Sequence, residues 1–330
     1  MIKRIAKLII PRACIFYTKS SLAYWYDIKR YTLNSNTYYI IDNKNKIKGR
    51  LTILYHIIEK GLTMPEPRLG FGSKIIIDLI DLCNLYISKK YDFKDQIFVH
   101  SIEVLNEYLK FHEVNSYSID NNIIKRIETL TTCANVHTYS QQYEFSNNDF
   151  FKEHQSTFDK FCKSRHTSRH FTNEHIPLET IYKCIELANE SPSACNRQPN
   201  RAYIVKDRHS IEEILELQNG NRGFGHLADT LLIINSDISV FNGINERNES
   251  FFNSGLFSMT LIYALHFYKI GACLLNWSVS TQNDKKLRTL INAPENEQIT
   301  IIIACGFLPH KFKIACSPRM KAKEISHEII

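Results

Sequence analysis

The 330-residue sequence lacks several patterns that would assign it to a common class of protein. Its nine cysteines, spread from Cys14 to Cys316, include no C-x-x-C pair, which argues against a disulfide framework or a zinc site. No G-x-G-x-x-G follows a strand-like run, so a Rossmann site is not predicted. Internal repeats and low-complexity arrays are also absent, which excludes a solenoid. We therefore expect a protein without bound metal in a reducing cytoplasm.

Long runs of a single charge or of apolar residues are missing as well. The formal charge of +7 is scattered along the chain, so nucleic acid is not indicated as a partner, whereas an anionic cofactor or substrate is. Residues 1–16 mix Lys3, Arg4, Lys7 and Arg12 with apolar residues, a segment too short and too charged to cross a bilayer and without a signal-peptide core. A basic amphipathic helix here would allow weak peripheral membrane contact, and packing on its own domain is the alternative.

Length and composition predict a sizeable core divided between two domains, since 44% of the residues are hydrophobic. We expect residues 1–150 to form a mainly helical region and residues 151–330 a second domain, with the polar stretch Thr138–Phe151 as linker. Apolar spacing predicts N-terminal helices over Ile47–Lys60, with Gly61 as its stop, and over three further segments: Lys74–Lys89, Ser101–Phe111 and Ser118–Ala134. The tyrosine-rich stretch Ser20–Ile41 leaves helix and strand both open.

The C-terminal half alternates helical and β-rich runs of unequal length, which predicts an α+β fold. Helices are expected over Ser156–Ser164 and Pro177–Asn189, and short strands over Ala202–Val205, Thr230–Asn235 and Gln298–Cys305. Asn253–Ile270 is apolar around more than one face. Such a helix should be buried either in the core or at a subunit interface.

Two polar motifs on either side of one predicted helix point to a bound ligand. The first, Arg165-His166-Thr167-Ser168-Arg169-His170-Phe171, is rich in groups that bind anions, and arginine pairs well with phosphate oxygens. If it is the first turn of a helix, Arg165 and Arg169 share one side. The second is the loop Ser191–Pro199, whose small polar residues can hold a planar polar ligand, although an ordinary polar turn is also consistent with it.

Together these motifs resemble the nitroreductase family of FMN-dependent oxidoreductases. The order Arg, His, hydroxyl, hydroxyl, cation, any residue, Phe is kept over Arg165–Phe171. The resemblance implies a central, mostly antiparallel sheet flanked by helices, with FMN as cofactor. It also implies that Arg165, His166 and Thr167 hold the phosphate and that Arg169 faces the flavin ring.

Further segments carry the resemblance along the chain. The loop implies ring and ribityl contacts from Pro192, Ser193, Asn196 and Gln198, made to FMN held mainly by the other subunit of a homodimer. Directly after this loop, the sequence departs from the usual family pattern at Asn200, where a tryptophan is typical. The resemblance also assigns roles to five residues nearer the C-terminus: Asn221 and Arg222 near the pyrimidine edge, Asn276 and Trp277 in the segment that faces flavin N5, and Arg319 at the phosphate.

A last block, His56-x-x-Glu59-Lys60-Gly61 followed by prolines and Arg68, looks like one found in a longer nitroreductase subfamily often associated with polysaccharide gene clusters. From the residues alone, an ion-paired helix end closed by a rigid loop explains the block. Binding of a substrate is the alternative.

The resemblance implies an enzyme that passes electrons from NAD(P)H through the flavin to a small-molecule acceptor in two half-reactions. The flavin would carry the chemistry, so no catalytic side chain is required. Two alternatives remain open. One is a flavin-binding accessory protein without turnover in polysaccharide biosynthesis, and the other is a flavin-cleaving or dehalogenating relative with the same fold.

Overall fold

The computed structural model describes residues 12–37 and 43–329. The N-terminal region is helical, as the sequence predicts, and its described helices are α1 Arg12–Asn34, α2 Lys44–Leu62, α3 Ser73–Ser88, α4 Gln96–Val114 and α5 Asn121–Ala134. Side-chain oxygens of Asn43, Asp95 and Asp120 accept backbone N–H groups at the starts of α2, α4 and α5. These caps satisfy donors that a helix start leaves unpaired, which fixes where each helix begins.

Helices α2 to α5 share a hydrophobic core around α2. Leu51, Leu54 and Ile58 of α2 are buried against α3 and α4, which confirms the predicted apolar face. Gly61 does not stop the helix, since α2 continues to Leu62. Instead, a β-carbon at Gly61 would overlap the ring of Phe71, so the glycine makes room for that ring.

The tyrosine-rich stretch Ser20–Ile41, for which helix and strand were both open, is helical as far as Asn34, where α1 ends. Its aromatic side chains are mostly exposed, with Trp25 at 64%. The helix is joined to the rest of the chain by a bidentate ion pair from Arg247 to Asp27, with N–O distances of 2.6 and 2.8 Å. Residues 1–11 lie outside the described residues, and so does most of the segment expected to touch a membrane.

The C-terminal half mixes helices and strands. Its described elements are β1 Tyr143–Ser146, α6 Asn147–Phe151, α7 Phe158–Ser164, α8 Leu178–Asn189, β2 Asn200–Val205, α9 Arg208–Glu216, β3 Thr230–Asp237, α10 Glu249–Phe267, β4 Gly271–Asn276, α11 Thr281–Leu290, β5 Glu297–Gly306, β6 Lys311–Ile314 and α12 Ala322–Ile325. The α+β class predicted from the sequence is therefore correct.

The main sheet has four antiparallel strands in the order β2-β3-β5-β4. Successive side chains of β3 alternate between two cores: Leu231 and Ile233 pack toward α9 and α11, while Leu232 and Ile234 pack toward α8 and α10. A strand buried on both faces needs apolar residues at every position, which explains the unbroken apolar run of β3. The sheet is thus the middle of three layers.

The segment Thr138–Phe151 is not a linker over its second half. Strand β1 pairs antiparallel with β6, with Tyr143 opposite Ile314, and Phe150 and Phe151 of α6 are buried in the C-terminal core. The polar residues Ser146, Asn147 and Asp149 that suggested a linker instead cap and surround α6, where Ser146 Oγ accepts the N–H of Asp149. Packing against the C-terminal core therefore reaches back to Phe145, within the stretch expected to be a linker.

None of the helices in the described part of the chain has the length and apolar character needed to cross a membrane.

Candidate functional site

Two arginines and a histidine lie near the end of α7: Arg165, His166 and Arg319, of which Arg319 is exposed. Arg165 and His166 follow the helix directly, and burial lowers the pKa of both, with the positive charge of Arg319 lowering them further. Among the described residues, no carboxylate forms a salt bridge with any of these three side chains, and the buried Nε of Arg165 has no hydrogen-bond partner. The cluster therefore carries unbalanced positive charge and an unused donor, which suits an oxyanion.

A small cavity next to this cluster contains an uncharged histidine, His266. Arg165 and His166 line this cavity together with Phe150 and His266. Burial, and then the charge of Arg165, lowers the pKa of His266 to about 3, and its Nε2 lies 2.9 Å from Ser164 Oγ. His266 is thus an uncharged support and adds no further repulsion against Arg165.

Residues 165–172 form no helical turn, since α7 ends at Ser164 and the chain then runs beside β4. The N–H of Ser168 donates to the carbonyl of Ala272 at 3.1 Å. The condition under which Arg165 and Arg169 were expected to share a helix side is therefore not met. The segment is instead positioned by backbone hydrogen bonds to β4 and to Phe307, which directly follows β5.

Arg169 is buried, with 9% of its surface exposed. Its Cζ lies 5.8 Å from the centre of the Phe224 ring, and one terminal guanidinium nitrogen lies 3.3 Å from Nε2 of His56. Its Nε is buried without a hydrogen-bond partner. A guanidinium that is held in place but incompletely hydrogen-bonded can donate to a further group.

The His56–Lys60 block lies against this guanidinium. Glu59 is fully buried and accepts from His100 Nε2 at 2.8 Å, and His56 Nδ1 lies 3.4 Å from its other oxygen. Because arginine only donates, Nε2 of His56 accepts from Arg169, which leaves the ring proton on Nδ1, facing Glu59. The backbone N–H of Ser317 also donates to Glu59, at 3.3 Å.

Electrostatics identify a charged pair within this block. Burial would raise the pKa of Glu59, but hydrogen bonds from His100, His56 and Ser317 lower it to about 2. Burial opposes the charge of His100, yet hydrogen bonds to Glu103 and Glu59 raise its pKa. The sequence favoured an ion-paired helix end here, and the structure agrees. What the sequence missed is that the same helix end contacts Arg169.

The Ser191–Pro199 loop lies elsewhere, on α10. Arg197 fixes it with two hydrogen bonds to Glu246, at 2.8 and 3.1 Å, and the N–H of Ala194 donates to Asn253 at 2.9 Å. Asn196 and Gln198 adopt positive φ angles of 56° and 48°, and their side chains are exposed.

The other residues of this loop are positioned around the contacts made by Arg197 and Ala194. Pro192 is exposed, and Ser193 Oγ accepts the N–H of Gln198. Asn200, at the usual tryptophan position, accepts from Ser254 at 3.0 Å. No hydrogen bond or salt bridge among the described residues joins this loop to the Arg165–Arg169 segment, so a single chain leaves the two motifs unconnected.

The remaining residues that the resemblance assigns to the cofactor differ in exposure and in their hydrogen-bond partners. The side-chain amide of Asn221 donates to the carbonyl of Leu215 in α9 and to that of Gln218, and Arg222 is exposed. Asn276 is exposed at the end of β4, and its carbonyl accepts from Gln218 at 3.0 Å. Trp277 donates from Nε1 to Asp284 at 2.8 Å. Thr167 is half-buried beside Arg165.

Comparison with known proteins agrees with the motif-based resemblance. Residues 162–221, which span both polar motifs, match the family model of the nitroreductase family. Iodotyrosine deiodinase 1 of Mus musculus is 21% identical over 198 residues, covering 52% of this chain and 68% of the relative.

Two solved structures are also similar. The nitroreductase family protein from Streptococcus pneumoniae TIGR4 is 19% identical, with 52% of this chain and all of that chain covered at a TM-score of 0.47. The FMN-dependent nitroreductase of Clostridium difficile R20291 is 17% identical, with 52% and 98% covered at a TM-score of 0.44. The resemblance predicted from the sequence is confirmed by the match over residues 162–221.

Proposed function

We propose that this chain, which carries a nitroreductase-family domain, is an FMN-dependent oxidoreductase that takes electrons from NAD(P)H and passes them to a small-molecule acceptor. Bound FMN would supply the redox chemistry at its N5 position. The protein would supply a phosphate site, a cation for the ring and a pocket for the acceptor.

The single observation that carries this proposal is the uncompensated positive charge of Arg165 and Arg319, beside which His166, whose pKa burial lowers, can donate as a neutral imidazole. A phosphate dianion would balance their charge and give the buried Nε of Arg165 an acceptor. Thr167 would add a hydroxyl donor. Arg169, held by His56 and Phe224, would place a fixed positive charge near the ring.

We further propose a homodimer in which the loop of one subunit completes the site of the other. The exposed amides of Asn196 and Gln198, with Pro192 and Ser193, would then border the ring. This arrangement explains why the two motifs are unconnected within one chain, although each is rigidly held. The nine cysteines are all free thiols, which fits the cytoplasmic location that we propose.

The first test is to purify the chain and identify any released flavin by chromatography, adding FMN to flavin-free protein if none is released. Bound FMN should then lose its visible absorbance when NADH or NADPH is added without oxygen. Protein that neither retains nor takes up FMN would contradict the proposal. Comparing the two nicotinamides would identify the donor.

A second candidate activity is reductive dehalogenation, because one similar protein is an iodotyrosine deiodinase. In such a step, two electrons and one proton replace iodine by hydrogen, and iodide leaves. The test is to reduce the FMN-loaded protein with dithionite, add iodotyrosine and measure free iodide and flavin reoxidation. Iodide release matched by reoxidation would favour this activity over the nicotinamide-driven one.

Bound FMN that neither nicotinamide reduces, together with no iodide release, would instead favour a non-catalytic accessory role. A link to polysaccharide biosynthesis, suggested by the His56–Lys60 block, belongs to that alternative.

A further inference from the structure

Lys60 of α2 lies beside Arg169 although it comes from the opposite half of the chain. Its Nζ donates to the carbonyl of Gly220 at 2.9 Å and lies 5.8 Å from the centre of the Phe224 ring. Arg169 approaches the same ring at the same distance. The N-terminal region therefore brings a second positive charge to the candidate flavin site.

This pair of cations is unfavourable without an anionic or strongly accepting partner. Burial lowers the pKa of Lys60, and the charge of Arg169 lowers it further. Within the described part of the chain, no carboxylate forms a salt bridge with either cation. The buried Nε of Arg169 also has no partner. A half-buried lysine and a buried guanidinium with an unused donor together indicate a ligand edge rich in acceptors.

The loop that was expected to supply a cation near the pyrimidine edge is the one that Lys60 contacts. The guanidinium of Arg222 is exposed and borders a surface pocket with Glu212 and Glu216. The amide of Asn221 already donates to the carbonyls of Leu215 and Gln218. What the loop presents toward α2 is the carbonyl of Gly220, and Lys60 binds it.

We propose that Lys60 and Arg169 together bind the N1/C2 edge of the flavin, so that the N-terminal region supplies one of the cofactor-binding residues. This inference rests on the FMN binding proposed above. The reduced flavin carries negative charge at that edge, so both cations should favour it over the oxidised flavin.

The test compares full-length wild type with Lys60→Met and Lys60→Arg. Flavin-free protein is titrated with FMN by fluorescence quenching, and the midpoint potential of bound FMN is measured with reference dyes. Loss of the charge in Lys60→Met should weaken binding of reduced FMN by roughly tenfold more than binding of oxidised FMN, which moves the potential to a more negative value. Lys60→Arg keeps the charge and should keep the potential close to that of wild type.

The matched control is Lys74→Met, since Lys74 is an exposed lysine on the next helix and should leave both measurements unchanged. If Lys60→Met does not fold, Lys60→Gln carries the same expectation, because its amide can donate to Gly220 without a charge. If wild type binds FMN and the Lys60 variants have the same midpoint potential as wild type, this inference is overturned and the proposed function stands. Wild type that does not bind FMN would overturn the proposed function itself.

Discussion

Arg165 is the residue on which the phosphate site depends most directly. Replacing it with alanine removes a charge-assisted contact of roughly 1.5–3 kcal/mol, so the dissociation constant of FMN should rise about ten- to a hundredfold. The measurement is FMN titration of flavin-free protein. Arg126→Ala, which removes a surface ion pair to Asp81, is the control and should bind FMN as wild type does. Equal FMN affinity in Arg165→Ala and wild type would show that the phosphate site lies elsewhere.

At the scale of residues, short motifs were more informative than long-range pairings. The order of side chains over Arg165–Phe171 was enough to predict an anion site, and the structure brings Arg319 near it from the other end of the chain. Lys60 could not be placed in this way, because its hydrogen-bond partner Gly220 is 160 residues away. Nothing local in the sequence distinguishes a lysine at a helix end from one that reaches another domain.

Among the elements, the Ser191–Pro199 loop depends on Arg197. A lysine at this position cannot reproduce the two-pronged contact with Glu246 or reach the Val240 carbonyl at the same time. Arg197→Lys should therefore increase hydrogen exchange of the loop amides and speed the dissociation of FMN. Arg126→Lys, which alters a surface ion pair with Asp81 in the N-terminal region, should change neither. Unchanged exchange and dissociation in Arg197→Lys would mean that the loop is held by other contacts.

Helices were predicted better than strands, for a physical reason. The periodicity of α2 to α5 reports a single buried face, and the predicted helices overlap the observed ones. Strand β4 was missed, because Gly271–Asn276 is short and follows a long apolar helix with little local sign of a boundary. Strands β1 and β6 were missed as well, since a two-stranded pair between distant segments depends on contacts that the local pattern does not contain.

For the whole molecule, the Glu59–His100 pair predicts a characteristic dependence of stability on pH. The folded pKa of Glu59 lies below its ordinary value of 4.5, so its contribution is present above pH 4.5 and is lost as the pH falls toward 2. The pKa of His100 is raised above 6.5, so its contribution is present below pH 6.5 and is lost as the pH rises through the raised value. The pair should therefore stabilise the fold most between pH 4.5 and 6.5.

This profile is measured by urea unfolding at several pH values, followed by tryptophan fluorescence. Glu59→Gln should lower the free energy of unfolding most within that window and flatten the acid side of the curve. Glu128→Gln, on the exposed face of α5, serves as control. A Glu59→Gln curve parallel to that of wild type would argue against the charged pair.

The proposed dimer predicts that exposed apolar residues of α10 are buried by the partner. Phe252 is 62% exposed in the single chain, and the Ser191–Pro199 loop packs on the same helix through Ser191 and Asn253. Phe252→Asp should shift the molar mass measured by light scattering toward the monomer and reduce FMN retention together with it. Val114→Asp, an exposed position in the N-terminal region, should remain dimeric. A monomeric wild type that binds FMN would contradict the shared site.

The buried carboxylate of Glu59 limits which parts of this fold can be exchanged between homologous proteins. It accepts hydrogen bonds from α4 and from the backbone at Ser317. Its own helix contacts Arg169, and the carbonyl of Thr63, directly after that helix, contacts His170. A cut between the two halves would leave polar groups unpaired on both sides. The C-terminal half is therefore not an interchangeable module, and exchanging the N-terminal helices between homologues requires that the matching residues of both halves be exchanged as a set.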